Sequence, residues 1–246
     1  MSLRLGDMNS THRRNKDELM SLRVTALHGL PTSPRLFERL VLEPDWHLVS
    51  PKLRGLTPGE VDLEWSLESC AESVREHVRD ADLIVGHDLG GVLAAMLAEP
   101  GQQVVLSGTA LGWYWAAIRF TALPGFRVLF YRRYAGKRFL SRGCRPEHAD
   151  SLLAAFDSEG LGWSQQMESI ARGMKPPSGL SERLRACDVH LIWGRSDPWY
   201  PPLIARKIQR ETGARLHWLE CGHFAPWEDP TGFQQALHAA RSSALK

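Results

Sequence analysis

The chain lacks the features of a membrane-spanning, secreted or nucleic-acid-binding protein. No stretch approaches the roughly 18 uninterrupted apolar residues of a membrane span. The N-terminal residues carry scattered charges where a signal peptide would have an apolar core. With 30 basic and 28 acidic residues, the net charge of +2 is too small to indicate nucleic acid as a partner of the whole chain. We therefore expect a cytoplasmic protein that acts on a small molecule, without membrane or nucleic-acid partners.

Cysteine is scarce, and its spacing argues against two kinds of site. The four cysteines form no C-x-x-C pair, which is the spacing typical of zinc sites and of dithiol redox sites. Internal repeats and low-complexity tracts are also absent. We expect a reduced protein without metal or cofactor, and 246 residues are enough for one domain with an inserted subdomain.

Six short apolar runs predict the core of the fold. Each run closes on a turn signal, and most are followed by a helical pattern. The runs are RVTALHG, WHLVSPKLRG, DLIVGHD, QVVLSG, VHLIWGRSD and RLHWLECGH. Strands buried on both faces read as continuous apolar runs, and their alternation with helices indicates a parallel α/β sheet.

The remaining segments divide the chain into an extension, a core and an insertion. The polar residues 1–20 are expected to be disordered. The core comprises 21–108 and 187–246, and residues 109–186 between them are helical and aromatic in pattern, with no clear strand. Because ligands of open α/β sheets bind beyond the carboxyl ends of the strands, an insertion after QVVLSG is predicted to be a lid over the site.

The stretch VGHDLGG, residues 85–91, carries the strongest signal of chemistry. It reads as strand, tight turn and helix, with Gly86, Gly90 and Gly91 leaving room around a central residue that is lifted above the sheet. That central residue is Asp88, where many enzymes have serine. The backbone amide of Leu89 lies at the helix N-terminus, where it can stabilise developing negative charge.

Three further signals follow other strands. The amide of Leu30, after the first strand, is a candidate second donor to an oxyanion. Asp197 follows a late strand and His223 follows the last one, so the order is nucleophile, acid, histidine, as in α/β-hydrolases. His28 and His87 are interpreted as structural histidines.

With these residues in this order, the chain resembles the α/β-hydrolase-fold superfamily, in the branch with an aspartate nucleophile that includes epoxide hydrolases and haloalkane dehalogenases. The resemblance implies a trimmed, mostly parallel sheet of about six strands flanked by helices, with an inserted helical lid. It also implies a role for each matching residue: Asp88 the nucleophile, His223 the base, Asp197 its orienting carboxylate, and the Leu30 and Leu89 amides the oxyanion hole.

An aspartate nucleophile favours alkyl over acyl chemistry. A carboxylate can attack an sp³ carbon directly and form an alkyl ester, which water activated by His223 then hydrolyses. Attack of Asp88 on an ester or thioester would instead give a mixed anhydride, which is much higher in energy. An epoxide or an alkyl halide is therefore the expected electrophile.

Within alkyl chemistry, the resemblance favours an epoxide. Haloalkane dehalogenases typically have tryptophan after the nucleophile, and fluoroacetate-type dehalogenases have arginine, whereas this chain has Leu89. Epoxide hydrolases use lid tyrosines to protonate the alkoxide, and the candidates here are Tyr114 first, then Tyr131 and Tyr134. Trp113 and Trp199 are candidates to line an apolar pocket.

A block of positive charge in the predicted lid supports a second hypothesis. No acidic residue lies between Glu99 and Glu147, and this stretch includes Arg132, Arg133, Lys137 and Arg138. Such a field suits an anionic substrate, coenzyme A or an acidic carrier protein. The alternative function is thus an acyltransferase or thioesterase acting on a carrier-bound or CoA-bound biosynthetic intermediate. A non-catalytic receptor is a third hypothesis, and it fits less well because Asp197 and His223 are intact.

Overall fold

A computed structural model describes residues 21–56, 62–112, 140–156, 163–175 and 177–243. Its centre is a six-stranded sheet in which every pair of neighbours is parallel. Each predicted apolar run contains one of its strands. In chain order these are β1 (Leu22–Leu27), β2 (Trp46–Val49), β3 (Leu83–His87), β4 (Gln103–Ser107), β5 (Asp188–Gly194) and β6 (Arg215–Leu219). The predicted α/β-hydrolase fold with about six strands is confirmed.

Helices cover both faces of the sheet. They are a 3₁₀ turn (Pro34–Phe37), α1 (Leu67–Arg79), α2 (Leu89–Leu97), α3 (Pro146–Phe156), α4 (Trp163–Gly173), α5 (Leu180–Leu184), α6 (Pro202–Thr212), α7 (Ala225–Glu228) and α8 (Pro230–Ser243). One hydrophobic core packs α1, α2, α5 and α6 against one face, and the other packs α3, α7, α8 and the 3₁₀ turn against the opposite face. Both faces of the inner strands β1, β3, β4 and β5 are therefore buried, which explains their continuous apolar runs. The edge strands β2 and β6 are partly exposed.

Helix α2 is almost entirely buried. Eight of its nine residues are buried, because it lies between the sheet and α1. This packing holds the N-terminus of α2 in a fixed position directly after β3. The turn between β3 and α2 is thus supported on both sides by close-packed structure.

The strand order places a crevice at the centre of the sheet. The order is β2-β1-β3-β4-β5-β6, so the chain runs from β1 outward to β2 and then returns to pair β3 against β1. Leu27 of β1 lies in register with Gly86 of β3. The loops that leave these two strands diverge, and such a switch point is where ligands bind in open α/β sheets.

The predicted lid lies between β4 and β5. Among its described residues are helices α3, α4 and α5 and no strand. Residues 113–139 and 157–162, and the predicted N-terminal extension 1–20, lie outside the described residues. In the part of the chain that is described, no helix is both long and apolar enough to cross a bilayer.

Candidate active site

Asp88 occupies a strained turn between β3 and α2. Its φ of 53° and ψ of −120° are rare for a residue with a side chain and cost on the order of 1–3 kcal/mol. The neighbouring glycines make the turn possible. A Cβ at Gly86 would lie 2.6 Å from the carbonyl oxygen of Gly90, and a Cβ at Gly90 would collide with the carbonyl oxygen of Leu27. The turn therefore raises the Asp88 side chain above the sheet edge.

Both oxygens of the Asp88 carboxylate accept hydrogen bonds. The Leu30 amide donates to Oδ2 at 2.7 Å, and the Tyr200 hydroxyl donates to Oδ1 at 2.8 Å. The Leu89 amide interacts with the same carboxylate and lowers its pKa. Asp88 is 4% exposed, and this burial raises its pKa, while nearby His223 and the three donors oppose the rise. The carboxylate is thus poorly hydrated and held by donors on defined atoms.

His223 and Asp197 form a buried pair beside Asp88. His223 Nδ1 lies 2.9 Å from Asp197 Oδ2, and both side chains are 1% exposed. Asp197 Oδ1 accepts bonds from the amides of Trp199 and Tyr200, each at 2.9 Å. Burial lowers the pKa of His223, but the carboxylates of Asp197 and Asp88 raise it more, and the net shift is upward. With Nδ1 directed at Asp197, Nε2 is the nitrogen that can take a proton from water.

Tyr200 is a site residue that the sequence analysis missed. Its phenol bonds Asp88, its ring lies 5.4 Å from the His223 ring, and its backbone amide bonds Asp197. The only signal in the sequence is its position three residues after Asp197. Nothing in that spacing indicates that the side chain reaches from the β5 loop to the β3 turn.

Glu228 is a second missed residue, and it organises the histidine loop. Its carboxylate accepts three backbone bonds, from the amides of Gly222 at 2.9 Å, Phe224 at 3.0 Å and Arg145 at 2.9 Å. Two of these amides flank His223 in sequence. Glu228 therefore joins the His223 loop to the segment that precedes α3.

Comparisons with known proteins agree with this architecture. The model of the Alpha/beta hydrolase family matches residues 26–236, most of the chain. The chain belongs to the alpha/beta hydrolase family. No curated protein matches it significantly.

Solved structures similar to this alpha/beta hydrolase include three bacterial proteins. An esterase from Thermogutta terrifontis is 20% identical with a TM-score of 0.71, over 92% of this chain and 91% of that one. An enol-lactonase from Burkholderia xenovorans is 15% identical with a TM-score of 0.71, over 90% and 92%. A hydrolase from Pseudomonas aeruginosa is 17% identical with a TM-score of 0.72, over 90% of each chain. At these identities the likeness establishes the fold alone.

Two other histidines of this alpha/beta hydrolase lie near the site without reaching Asp88 by a hydrogen bond. His28 and His87 are both fully buried. Burial lowers the pKa of His28 to about 4 and that of His87 well below its ordinary value, so both are neutral near pH 7. His87 Nε2 lies 3.0 Å from the carbonyl oxygen of His223 and can donate to it. His28 Nδ1 lies 3.2 Å from the carbonyl oxygen of Gly29, and the structural interpretation of both histidines stays a prediction.

The structure brings together some of the predicted site residues of this alpha/beta hydrolase. Asp88, Asp197, His223 and the Leu30 and Leu89 amides meet at one end of the sheet. Trp199 is half-buried next to Gly143, and its backbone amide supports Asp197. The other predicted residues lie outside the described ones: Trp113, Tyr114, Tyr131, Tyr134, Arg132, Arg133, Lys137 and Arg138. No cluster of three or more potential metal ligands occurs among the described residues.

Proposed function

We propose that this alpha/beta hydrolase is an epoxide hydrolase that works through a covalent ester on Asp88. The observation that carries the proposal is the carboxylate at the strained turn, with Oδ2 held by the Leu30 amide at 2.7 Å. Oδ2 is then the oxygen that would bear negative charge in a tetrahedral intermediate. Oδ1, whose donor is the Tyr200 side chain and not a backbone amide, is then the attacking atom.

The first half-reaction needs no base. Oδ1 of Asp88 attacks an epoxide carbon from behind, the ring C–O bond breaks, and the departing alkoxide takes a proton from an acid. Burial of Asp88 favours this step, because a carboxylate with little hydration loses little solvation on reaction. The product of the step is a hydroxyalkyl ester of Asp88.

The second half-reaction uses the histidine. His223 Nε2 takes a proton from water, and the resulting hydroxide adds to Cγ of Asp88. Negative charge collects on Oδ2, which the Leu30 amide contacts, and the Leu89 amide is the proposed second donor. Collapse of this intermediate breaks the bond between Cγ and Oδ1 and releases the diol. Asp197, bonded to Nδ1 at 2.9 Å, stabilises the imidazolium that forms.

Epoxides suit this site better than the alternatives within alkyl chemistry. Leu89 offers no side-chain donor to a halide, and only its backbone amide contacts the carboxylate. The similar structures are named as an esterase, an enol-lactonase and a hydrolase, which supports hydrolysis as the reaction class. The acid for ring opening is predicted among the lid tyrosines, with Tyr114 first.

Acyl transfer or thioester cleavage on a carrier-bound or CoA-bound intermediate is the second candidate. It rests on the acid-free, basic stretch between Glu99 and Glu147. In that reaction Asp88 would act as a base or as an unusual acyl acceptor, whose mixed anhydride is high in energy. The two candidates therefore differ in whether a stable adduct forms on Asp88.

Trapping of the intermediate tests the proposal. His223→Gln enzyme is mixed with pooled epoxides, haloalkanes and acyl thioesters, and its intact mass is measured. We expect an adduct with the mass of a whole epoxide that peptide mapping places on Asp88. The matched control is the Asp88→Asn, His223→Gln double variant, which should give none. If folded His223→Gln enzyme gives no alkyl adduct, the aspartyl-ester mechanism is wrong for these substrates, and a halide-depleted alkyl mass would indicate a dehalogenase.

A further inference from the structure

Tyr200 is fixed in place by contacts at its backbone and at its hydroxyl. Its amide donates to Asp197 Oδ1 at 2.9 Å, and its carbonyl oxygen accepts from the Trp193 indole at 2.8 Å. The hydroxyl at the other end of the side chain donates to Asp88 Oδ1 at 2.8 Å. The residue is 5% exposed, so a small displacement of the phenol would meet close-packed neighbours.

The atom that Tyr200 contacts becomes the leaving oxygen in the proposed mechanism. Oδ1 of Asp88 is the oxygen that forms the new bond to substrate carbon, because Oδ2 is held by the Leu30 amide. When hydroxide later adds to Cγ, the bond that breaks is the one between Cγ and Oδ1. The product alcohol therefore carries away Oδ1, and this oxygen needs a proton as it departs.

Geometry makes Tyr200 poorly placed for the first half-reaction. In backside attack, the ring oxygen of an epoxide lies on the far side of the attacked carbon from Oδ1. A phenol that stays within bonding distance of Oδ1 cannot also reach that oxygen without crowding the carbon between them. The acid that opens the ring must therefore lie elsewhere.

We propose that Tyr200 is the general acid of the second half-reaction, an inference that rests on the proposed aspartyl ester. As the tetrahedral intermediate collapses, the Cγ–Oδ1 bond breaks and the Tyr200 hydroxyl gives its proton to Oδ1, which releases the alcohol. The proton that His223 took from water then returns to the phenolate, directly or through solvent. Collapse leaves Asp88 as a carboxylic acid with one oxygen from water, and it gives its remaining proton through solvent to the conjugate base of the acid that opened the ring, so no further reactant is consumed.

The Tyr200→Phe variant separates this role from a structural one. General acid catalysis typically contributes about 10²- to 10⁴-fold, so ester hydrolysis should slow by about 10² or more. The alkylation rate should change far less, and the epoxide adduct should therefore accumulate on Asp88 while His223 is intact. Quenched-flow mixing with mass analysis gives the two rates separately. Tyr114→Phe is the matched control and should slow alkylation without adduct accumulation.

Leaving-group dependence gives a signature that packing alone would not produce. Epoxides whose opened alcohol is more acidic, such as trifluoromethyl-substituted ones, need less proton transfer at Oδ1. The hydrolysis defect of Tyr200→Phe should therefore shrink along a series of increasingly acidic alcohols. A defect of equal size for every substrate would mean that Tyr200 has no role as an acid.

The outcomes also distinguish this inference from the proposed function. An adduct in His223→Gln with none accumulating in folded, active Tyr200→Phe overturns the role of Tyr200 and leaves the aspartyl ester intact. Absence of an adduct in His223→Gln overturns both. If Tyr200→Phe does not fold, the native enzyme still provides a test. Its hydrolysis rate should be nearly independent of alcohol acidity, and a steep dependence would contradict protonation of Oδ1.

Discussion

Replacement of Glu228 by glutamine should loosen the histidine loop and destabilise the fold. The glutamate oxygens accept from three backbone amides, two on Oε2 and one on Oε1. Glutamine keeps a single acceptor oxygen. If this oxygen accepts from the amides of Gly222 and Arg145, the NH₂ group of the glutamine faces the Phe224 amide. Two hydrogen-bond donors then face each other without an acceptor.

The size of the effect follows from these three bonds. A hydrogen bond to a charged group contributes about 1.5–3 kcal/mol, and an unsatisfied buried donor costs about 1–3 kcal/mol. The two retained bonds also lose charge assistance, which roughly halves their strength. Burial raises the pKa of Glu228 in spite of these bonds, so relief of that desolvation offsets the lost charge assistance. The unsatisfied Phe224 amide remains, and we expect a net loss of about 1–3 kcal/mol in the free energy of unfolding, with a larger loss for Glu228→Ala.

Equilibrium unfolding in urea at a fixed alkaline pH measures this loss. With a slope of about 2–3 kcal/mol/M, the midpoint should fall by about 1 M. The matched control is Glu220→Gln, because Glu220 is exposed and pairs at the surface with Arg195, so its loss should be below about 1 kcal/mol. The ester-hydrolysis rate should also fall in Glu228→Gln, since both amides that flank His223 are affected. Equal stability of the Glu228→Gln and Glu220→Gln variants would refute this account of the loop.

The remaining predictions concern the reacting groups. Because burial raises the pKa of Asp88, and alkylation needs the carboxylate, the single-turnover alkylation rate should fall on acidification at a pH above the ordinary aspartate pKa. If the alkylation rate falls only at or below the ordinary aspartate pKa, the argument from burial is wrong. Asp197→Asn should lower the hydrolysis rate by about 10⁴-fold in rapid-quench assays, with alkylation much less affected. Tyr114→Phe should lower kcat for epoxides whose alkoxide is strongly basic. If the variant has the kcat of the native enzyme on all of these epoxides, Tyr114 is not the ring-opening acid. If the carrier-directed alternative holds, Arg132→Glu with Arg133→Glu should raise the KM for a carrier-bound thioester, and added salt should do the same to the native enzyme.

Sequence pattern alone determined the sheet and the chain order of the site. Continuous apolar runs require strands that are buried on both faces, and their alternation with helical segments requires parallel strands. The glycines around Asp88 predict the tight turn, since close approach to Leu27 and Gly90 leaves no space for a Cβ. These features could be predicted because each depends on neighbours in sequence or on a short repeat.

Only the tertiary structure decided which residues, far apart in sequence, hydrogen-bond to the same carboxylate. Tyr200 reaches Asp88 because β5 and β3 end at the same edge of the sheet, with β4 between them. Glu228 binds amides on both sides of His223 and one 83 residues away, at Arg145. Such contacts depend on the directions of loops beyond the strands, where no periodicity constrains the side chains. The sequence therefore determined which elements carry the candidate site, and packing of the loops decided the donor on each oxygen of Asp88.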